Sequence, residues 1–263
     1  MILYFSATGN SRHIAQLLSK GLNDKKTVDL RTLYHKGSQT DSFLLSDDET
    51  ICFVFPVHSW GMPKNLAALI SGLRFDNYDK NKNHCALVLT CGDDAGQTAR
   101  QWKEAVANCG LEGDAAYSVF MPNTYVLLPG FNIDNWELTT KKLDAAPSLV
   151  ESITERIKNR EKGDFTFHGS FSGLKSKVIY PFFMRYMTSD KPFVCNPKTC
   201  IECGKCAKVC PTGNIQLEKT KEGLLLPHWH GDCLNCLACY HHCPTRSIEY
   251  GRSTRKKGTY HYR

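Results

Sequence analysis

Residues Tyr4–Ala15 read YFSATGNSRHIA and connect a short apolar run, ILYFS, to a segment with helical spacing that ends at Gly21. The intervening loop has no acidic residue. It offers hydroxyl and amide side chains and a glycine for a tight turn, namely Ser6, Thr8, Gly9, Asn10 and Ser11. Because the first turn of a helix presents unpaired N–H groups, this loop predicts an anion-binding site, and an ordinary capped helix is the alternative.

Strand-like and helix-like patterns alternate from this loop to about residue 160. The candidate strands are ILYFS, TVDLRTL at 27–33, ICFVFPV at 51–57, HCALVLTCG at 84–92 and AAYSVFM at 115–121. The candidate helices cover 11–21, 63–73 and 97–110, and a further helical stretch at 136–162 is expected to break at Pro147. Five strands with intervening helices predict an α/β fold, a doubly wound parallel sheet covered on both faces.

Two more loops follow predicted strands, PVHSWGMPKN at 56–65 and TCGDDAGQT at 90–98. Together with the first loop they resemble the FMN-binding loops of flavodoxins, which hold phosphate with hydroxyls and amides. The resemblance implies that FMN contacts Ser6, Thr8, Gly9, Asn10, Ser11, Pro56, Val57, His58, Ser59, Trp60, Gly61, Cys91, Gly92, Asp93 and Asp94. Trp60 is alternatively a surface-packed aromatic residue, and Asp93 and Asp94 alternatively cap the helix that begins near Gln97.

Eight of the 13 cysteines fall into two runs with the spacing C-x2-C-x2-C-x3-C, each followed by proline. The first run is Cys200, Cys203, Cys206 and Cys210, and the second is Cys233, Cys236, Cys239 and Cys243. This repeat resembles the bacterial two-cluster ferredoxins. Zinc sites usually combine two CxxC pairs, and a disulfide framework is not expected in a chain without a secretion signal.

The ferredoxin resemblance implies that the fourth cysteine of each run reaches the other cluster. One [4Fe–4S] cluster would then be held by Cys200, Cys203, Cys206 and Cys243, and the second by Cys233, Cys236, Cys239 and Cys210. The remaining cysteines show no metal-binding spacing: Cys52, Cys85, Cys91, Cys109 and Cys195.

The whole chain resembles the flavodoxin–ferredoxin fusion proteins of anaerobic bacteria and archaea. The resemblance divides it into a flavodoxin-like FMN domain (1–160), an aromatic-rich connector (161–192), a two-cluster ferredoxin domain (193–250) and a basic tail (251–263). It implies an electron-transfer protein that relays electrons between FMN, two [4Fe–4S] clusters and a partner redox protein, such as a separate ferredoxin or a dehydrogenase.

Two other functions are compatible with the same motifs. A flavin-dependent reductase would bind a small molecule under residues 121–137, and a closed pocket with convergent polar groups would favour it. A redox sensor would place its basic tail on nucleic acid, but no DNA-reading pattern is present, so no nucleic-acid partner is expected. Whether the chain is an enzyme, its electron donor and acceptor, and its oligomeric state stay open at this stage.

The net charge of +7 comes largely from the end of the chain, where RSTRKKGTYHYR contains no acidic residue. Such a tail is either solvated or suited to an acidic partner protein. No apolar run approaches the length of a membrane span, and no signal peptide is recognised, so we expect a cytoplasmic protein that is not integral to a membrane.

Overall fold

The computed structural model describes residues 1–34 and 41–262, except for the side chain of Ser172. The N-terminal part contains strands β1 (Ile2–Tyr4), β2 (Thr27–Asp29), β3 (Ser42–Leu44), β4 (Thr50–Pro56), β5 (Arg74–Asp76), β6 (His84–Cys91), β7 (Ala115–Phe120) and β8 (Gly163–Phe165). Its helices are α1 (Asn10–Gly21), α2 (Leu66–Ser71), α3 (Thr98–Asn108) and α4 (Trp136–Lys158), with a 3-10 turn at Leu30–Leu33.

The central sheet is parallel and has six strands in the order β2-β1-β4-β6-β7-β8, whereas the sequence predicted five. The additional strand is β8, which pairs with β7 through Ala115 and Gly163. It is three residues long and begins with glycine and aspartate, so it carries no apolar run that periodicity could detect. A separate two-stranded parallel ribbon joins β3 and β5.

Two apolar layers cover the faces of the central sheet. Along β4, Phe53 and Phe55 point into the layer that α2 and α3 complete, while Cys52 and Val54 point into the layer with α1 and α4. All four side chains are fully buried, which is the pattern of a central parallel strand. Because both faces are covered, the carboxyl ends of the strands remain as the open edge at which a site can form.

Helix α4 continues through Pro147, contrary to the break expected from the sequence. Asn135 caps its start by accepting a hydrogen bond from the Leu138 N–H at 2.8 Å. Buried residues at helical spacing, such as Val150 and Ile153, pack against the sheet. This packing stabilises the helix although Pro147 has no backbone N–H and so leaves one helical hydrogen bond unformed.

Residues 172–187 form a continuous helical segment made of α5 (Ser172–Leu174), a π turn (Lys175–Ile179), α6 (Tyr180–Phe182) and a second π turn (Phe183–Met187). The segment lies on the N-terminal part, because the Tyr180 hydroxyl donates to the Met62 carbonyl and Ser176 Oγ donates to the Trp60 carbonyl, both at 2.8 Å. In the described part of the chain, no helix is both long enough and apolar enough to cross a membrane.

The C-terminal part contains β9 (Phe193–Cys195), α7 (Lys205–Lys208), β10 (Ile215–Lys219), β11 (Leu225–Trp229), α8 (Ala238–His242) and β12 (Ile248–Tyr250). β10 pairs with β11 and β9 with β12, both antiparallel. Their small core also includes Val126 and Leu127, which follow the central strand β7. The segment 121–137 therefore packs against the C-terminal part.

Only part of the basic tail extends into solvent: Arg252, Arg255 and Lys256 are exposed, whereas residues 257–262 are half-buried. Residues 257–262, here called the C-terminal strap, return to the N-terminal loop. The Tyr262 N–H donates to the Thr8 carbonyl at 2.8 Å, and the Tyr262 ring stacks on His13 with centroids 4.1 Å apart. Lys257 Nζ donates to the Val126 carbonyl at 2.7 Å, which also fixes the strap to the segment after β7.

Candidate functional site

Two adjoining cavities lie at the carboxyl ends of β1, β4, β6 and β7. The loop cavity, of about 80 Å³, is bounded by the loop after β1, the loop after β4, residues 90–92 and residues 121–125. The apolar cavity, of about 360 Å³, lies next to it and extends under the helical segment 172–187. The two cavities share seven lining residues: Val57, Ser59, Cys91, Gly92, Asn123, Tyr125 and Phe183.

The loop after β1 opens α1 with an uncapped N-terminus at the loop cavity. Gly9 adopts a left-handed φ of 97° and makes no side-chain cap, and the first turn holds no acidic residue. The Ser6 hydroxyl accepts a hydrogen bond from the Gly9 N–H at 3.1 Å, and Ser11 Oγ lies 2.7 Å from Thr90 Oγ1. Free N–H groups at a helix start, without a nearby carboxylate, suit an anionic ligand.

The loop after β4 makes a tight hairpin, in which His58 and Gly61 exchange backbone hydrogen bonds at 2.9 and 3.1 Å. Its two central residues, Ser59 and Trp60, have φ values of 49° and 63°. A left-handed conformation is costly for a tryptophan, by about 1–3 kcal/mol, and such strain concentrates at functional sites.

Trp60 is held in place by Asp94 and Lys175. Trp60 Nε1 donates to Asp94 Oδ2 at 3.1 Å, and Lys175 Nζ lies 2.8 Å from the same oxygen and 5.0 Å from the centroid of the Trp60 ring. Asp94 is 5% exposed. It does not cap α3, whose N-cap is Gln97 without a side-chain hydrogen bond, so the capping interpretation of Asp94 is wrong.

The structure brings most of the residues predicted to contact FMN to the two cavities. Those that line one or both are Ser6, Thr8, Asn10, Ser11, Pro56, Val57, His58, Ser59, Trp60, Cys91, Gly92, Asp93 and Asp94. Gly9 and Gly61 are not among the lining residues. A Cβ on Gly9 would collide with Tyr262, and one on Gly61 would collide with the Tyr180 ring.

Two titratable groups in the lining of the loop cavity are held neutral. Burial lowers the pKa of His58 to about 4 and raises the pKa of Cys91 to about 12. The loop cavity therefore offers hydrogen bonds from neutral groups at these two positions rather than charge.

The apolar cavity contains residues that sequence reasoning did not single out. Leu128, Phe131 and Leu138 line one side, and Ile179 and Phe183 of the helical segment line another. Lys142 also lines it, with Nζ at 2.6 Å from Asp134 Oδ2 and 2.8 Å from the Gly92 carbonyl oxygen. The sequence signal for these residues was weak: Leu128 and Phe131 lie in the segment 121–137 considered for a small molecule, Ile179 and Phe183 lie in the aromatic-rich connector, and nothing marked Leu138 or Lys142.

The cysteines of the C-terminal part gather in two places. Cys200, Cys203, Cys206 and Cys243 line one cavity together with Cys195, which the spacing had not indicated. Around the buried Cys239, the thiols close enough to affect its ionisation are Cys236, Cys233 and Cys210 and, more weakly, Cys206. The first group combines three cysteines of one run with the fourth of the other, and Cys239 likewise has Cys210 of the first run nearby.

The separation of these thiols argues against single metal ions. Tetrahedral zinc, with Zn–S bonds of about 2.3 Å, places its sulfur ligands about 3.8 Å apart. Among the described residues, no group of three or more metal-binding side chains with ligand atoms within 4.8 Å includes a cysteine. A wider arrangement suits a cluster, in which each thiolate binds a different iron.

Burial makes these thiols poor acids in the absence of metal. It raises the pKa of Cys233 to about 11 and that of Cys236 to about 12. Thiolates in such surroundings need a compensating positive charge, which bound iron supplies.

The second cysteine run is in direct contact with the loop cavity. Leu234 is 2% exposed and packs in the core layer of the central sheet that contains Phe5 and Phe55. Asn235, Cys236 and Leu237 line the loop cavity. Lys64 Nζ donates to the Cys233 carbonyl at 3.1 Å, which connects the run to the residues after the β4 hairpin.

Residues 199–248 match the 4Fe-4S dicluster domain family. The C-terminal part of the chain therefore contains a ferredoxin-like domain with iron–sulfur clusters, and such a domain supports electron transfer. The match covers both cysteine runs and stops before the C-terminal strap.

No curated protein matches the chain. Among solved structures, the Trp repressor binding protein from Bacillus subtilis is similar with 14% identity and a TM-score of 0.33, over 57% of this chain and 97% of that chain. At that score the likeness gives no information about fold or function.

Proposed function

We propose that the chain is an electron-transfer protein in which FMN, bound at the carboxyl ends of the central sheet, exchanges electrons with two [4Fe–4S] clusters. The order β2-β1-β4-β6-β7 supports a flavodoxin-like N-terminal domain. When only the strands of the central sheet are numbered along the chain, this order is 2-1-3-4-5, the order of flavodoxin-like sheets. In that order the ligand lies at the switch point beside the first strand, where the loops after β1 and β4 meet.

One observation carries this proposal. Cys236, a cysteine of the second run, lines the same loop cavity as Ser6, Thr8 and Asn10 of the loop after β1. A nucleotide in the loop cavity and a cluster on Cys236 would therefore share a wall. FMN supplies the ability to exchange either one or two electrons, whereas each cluster passes one, so the pair would convert two-electron into one-electron transfer.

The residues present fit FMN. Hydroxyl and amide side chains gather at the start of α1, the lining holds neutral His58 and Cys91, and Trp60 lies at the adjoining apolar cavity. We assign FMN to the loops in residues 1–160 and the clusters to residues 193–250. One cluster is assigned to Cys200, Cys203, Cys206 and Cys243, and the other to Cys233, Cys236, Cys239 and Cys210.

The partner is a separate redox protein with an acidic surface. Exposed apolar residues Leu174, Val178 and Phe182 form a stripe on the helical segment 172–187, flanked by the exposed cations Lys177 and Arg185. An apolar patch with a basic rim, above the proposed flavin site, suits transient docking of an acidic carrier such as a ferredoxin.

The test is anaerobic purification with flavin, iron and sulfide analysis, followed by a stepwise reductive titration monitored by absorbance and EPR. One FMN and about eight irons per chain, with electrons distributed over flavin and clusters, is the expected result. Eight irons without any FMN, even after FMN is added, would remove the flavin from the proposal and leave an iron–sulfur protein.

A second candidate function is the reduction of a small molecule. It is favoured by the apolar cavity of about 360 Å³, whose lining includes the half-buried ion pair of Lys142 and Asp134. An apolar electron acceptor that is reduced by the protein at a saturable rate, and is no longer bound when Phe131 is replaced by Arg, would support a reductase. A reduction rate that rises linearly with acceptor concentration, without saturation, would favour the electron carrier.

A further inference from the structure

Asn235 is a buried amide without a hydrogen-bond partner. It stands in the second run between Cys233 and Cys236, its side chain is 4% exposed in the described structure, and it lines the loop cavity. Neither Oδ1 nor Nδ2 has a partner among the described residues. Most buried polar groups in folded proteins are hydrogen-bonded, so an amide left unpaired at a cavity indicates a missing ligand.

Backbone geometry does not account for this side chain. Asn235 has a φ of 54°, and asparagine tolerates a left-handed conformation well. The matching position of the first run is Glu202, with a φ of 55° and an exposed side chain that accepts a hydrogen bond from the Leu225 N–H at 2.9 Å. This turn therefore requires neither an asparagine nor a buried side chain. The two runs differ because the Glu202 side chain is exposed to solvent, whereas Asn235 lines the loop cavity.

Asn10 and Ser11, two polar residues that line the loop cavity, already have protein partners, whereas the buried Tyr125 hydroxyl has none among the described residues. Asn10 Nδ2 donates to the Pro122 carbonyl at 2.9 Å, and Asn10 Oδ1 accepts from the Tyr260 hydroxyl at 3.1 Å. Ser11 is paired with Thr90. These contacts fix the wall of the loop cavity, whereas the Asn235 amide faces it without a partner.

We propose that Asn235 donates a hydrogen bond from Nδ2 to an oxygen of FMN, so that the second cysteine run supplies part of the flavin site. This inference rests on the proposed function. FMN carries many more acceptor oxygens than donors, in its phosphate, ribityl chain and ring carbonyls, so the donor end of the amide is the useful one. Asn235, the proposed flavin ligand, is then next in sequence to Cys236, the proposed cluster ligand. Both residues line the loop cavity.

The experiment uses the full chain with its clusters intact and its flavin removed. FMN is titrated into the protein and binding is followed by quenching of flavin fluorescence, while iron per chain is measured in parallel. The variants are Asn235→Leu, which removes the donor and the acceptor, and Asn235→Asp, which keeps the shape and replaces the donor with a negative charge. A leucine with a left-handed φ of 59° already occurs two residues later, at Leu237. Glu202→Leu is the matched control in the first run.

Both Asn235 variants should bind FMN at least about tenfold more weakly than the unchanged chain, with equal iron, because a buried donor has been lost. Glu202→Leu should bind FMN as the unchanged chain does.

FMN affinities of the Asn235 variants within twofold of the unchanged chain, at equal iron, would overturn the inference and leave the flavin proposal standing. If Asn235→Leu loses iron, the FMN affinity of Asn235→Asp decides the test, since aspartate matches asparagine in size and in tolerance of positive φ. An unchanged chain that does not bind FMN would contradict the proposed function itself.

Discussion

At the scale of single residues, Asp94 shows how one buried carboxylate organises the cavity wall. It accepts hydrogen bonds from Trp60 Nε1 at 3.1 Å and from the Gly96 N–H at 3.0 Å, and it pairs with Lys175 at 2.8 Å. These partners belong to the strained hairpin, to the loop after β6 and to the helical segment 172–187. Its neighbour Asp93 is exposed and accepts a hydrogen bond from the Asp94 N–H at 2.8 Å.

Replacing Asp94 with alanine should lower the free energy of unfolding by about 2 kcal/mol, since Lys175 and the Trp60 N–H lose their partner while Lys175 is still partly solvated. The midpoint of urea denaturation measures this loss, and tryptophan fluorescence reports the release of Trp60. Asp93→Ala is the matched control and should cost less than about 1 kcal/mol. Equal losses in the two variants would mean that Asp94 does not tie these elements together.

The sequence located many residues of the site but not their partners. Hydroxyls and amides after β1, and Trp60 after β4, follow predicted strands, and carboxyl ends of parallel strands meet at one edge, so their proximity was predictable. Lys175, Tyr180 and Asn235 were not predictable as neighbours of these loops. Each lies more than 80 residues from the loop after β1, and single-sequence periodicity carries no information about such distant contacts.

At the scale of elements, local pattern and tertiary packing disagree in α4. Pro147 was expected to end a helix, because proline lacks the N–H donor and crowds the preceding turn. The structure keeps one helix from Trp136 to Lys158, with Pro147 on its exposed side and Val150 and Ile153 in the core. Burial of that apolar stripe outweighs the local cost.

Replacing Pro147 with alanine should stabilise the protein by about 2 kcal/mol. Alanine restores the missing backbone donor and gains about 3 kcal/mol in helix propensity, offset by about 1 kcal/mol from the freer unfolded chain. The thermal midpoint, measured by circular dichroism at 222 nm, tests this. Ser148→Ala, at the next exposed position, should change stability by less than about 1 kcal/mol. A lower midpoint for Pro147→Ala would show that the helix depends on a bend at proline.

The alternation of buried strands and amphipathic helices made the α/β sheet predictable, and the cysteine spacing made the iron–sulfur domain predictable. The sixth strand was missed because Gly163–Phe165 offers one apolar residue, and its pairing depends on β7 already being in place. The helical segment 172–187 was recognised only as an apolar connector, since its apolar residues divide between the cavity, as Phe183 does, and the surface, as Phe182 does.

At the scale of the whole molecule, the iron–sulfur domain and the sheet are joined by the segment after β7. Val126 and Leu127 are buried in the small C-terminal core with Phe193, Ile215 and Tyr240. His241 Nε2 also donates to the Thr124 carbonyl at 2.7 Å. That core includes cysteines of both runs, so clusters bound there would help to hold the segment 121–137 in place.

Removing iron with a chelator should therefore loosen residues 121–137 together with residues 193–250, because the small core cannot bury enough apolar surface without its clusters. Hydrogen–deuterium exchange measures this, with faster exchange expected in both regions. The central strands β4 and β6 serve as the internal control and should retain their protection, since neither contains a cysteine of the two runs. Exchange rates in residues 121–137 and 193–250 that stay unchanged after chelation would contradict this dependence.

The C-terminal strap has a consequence for how the protein is made. Thr8 leaves the ribosome long before Tyr262, whose N–H later binds the Thr8 carbonyl. Until Tyr262 is made, the nascent chain carries the loop beside α1 without the strap, and both cysteine runs are synthesised before the strap. The cell has that interval in which to load cofactors from the side that the strap later covers.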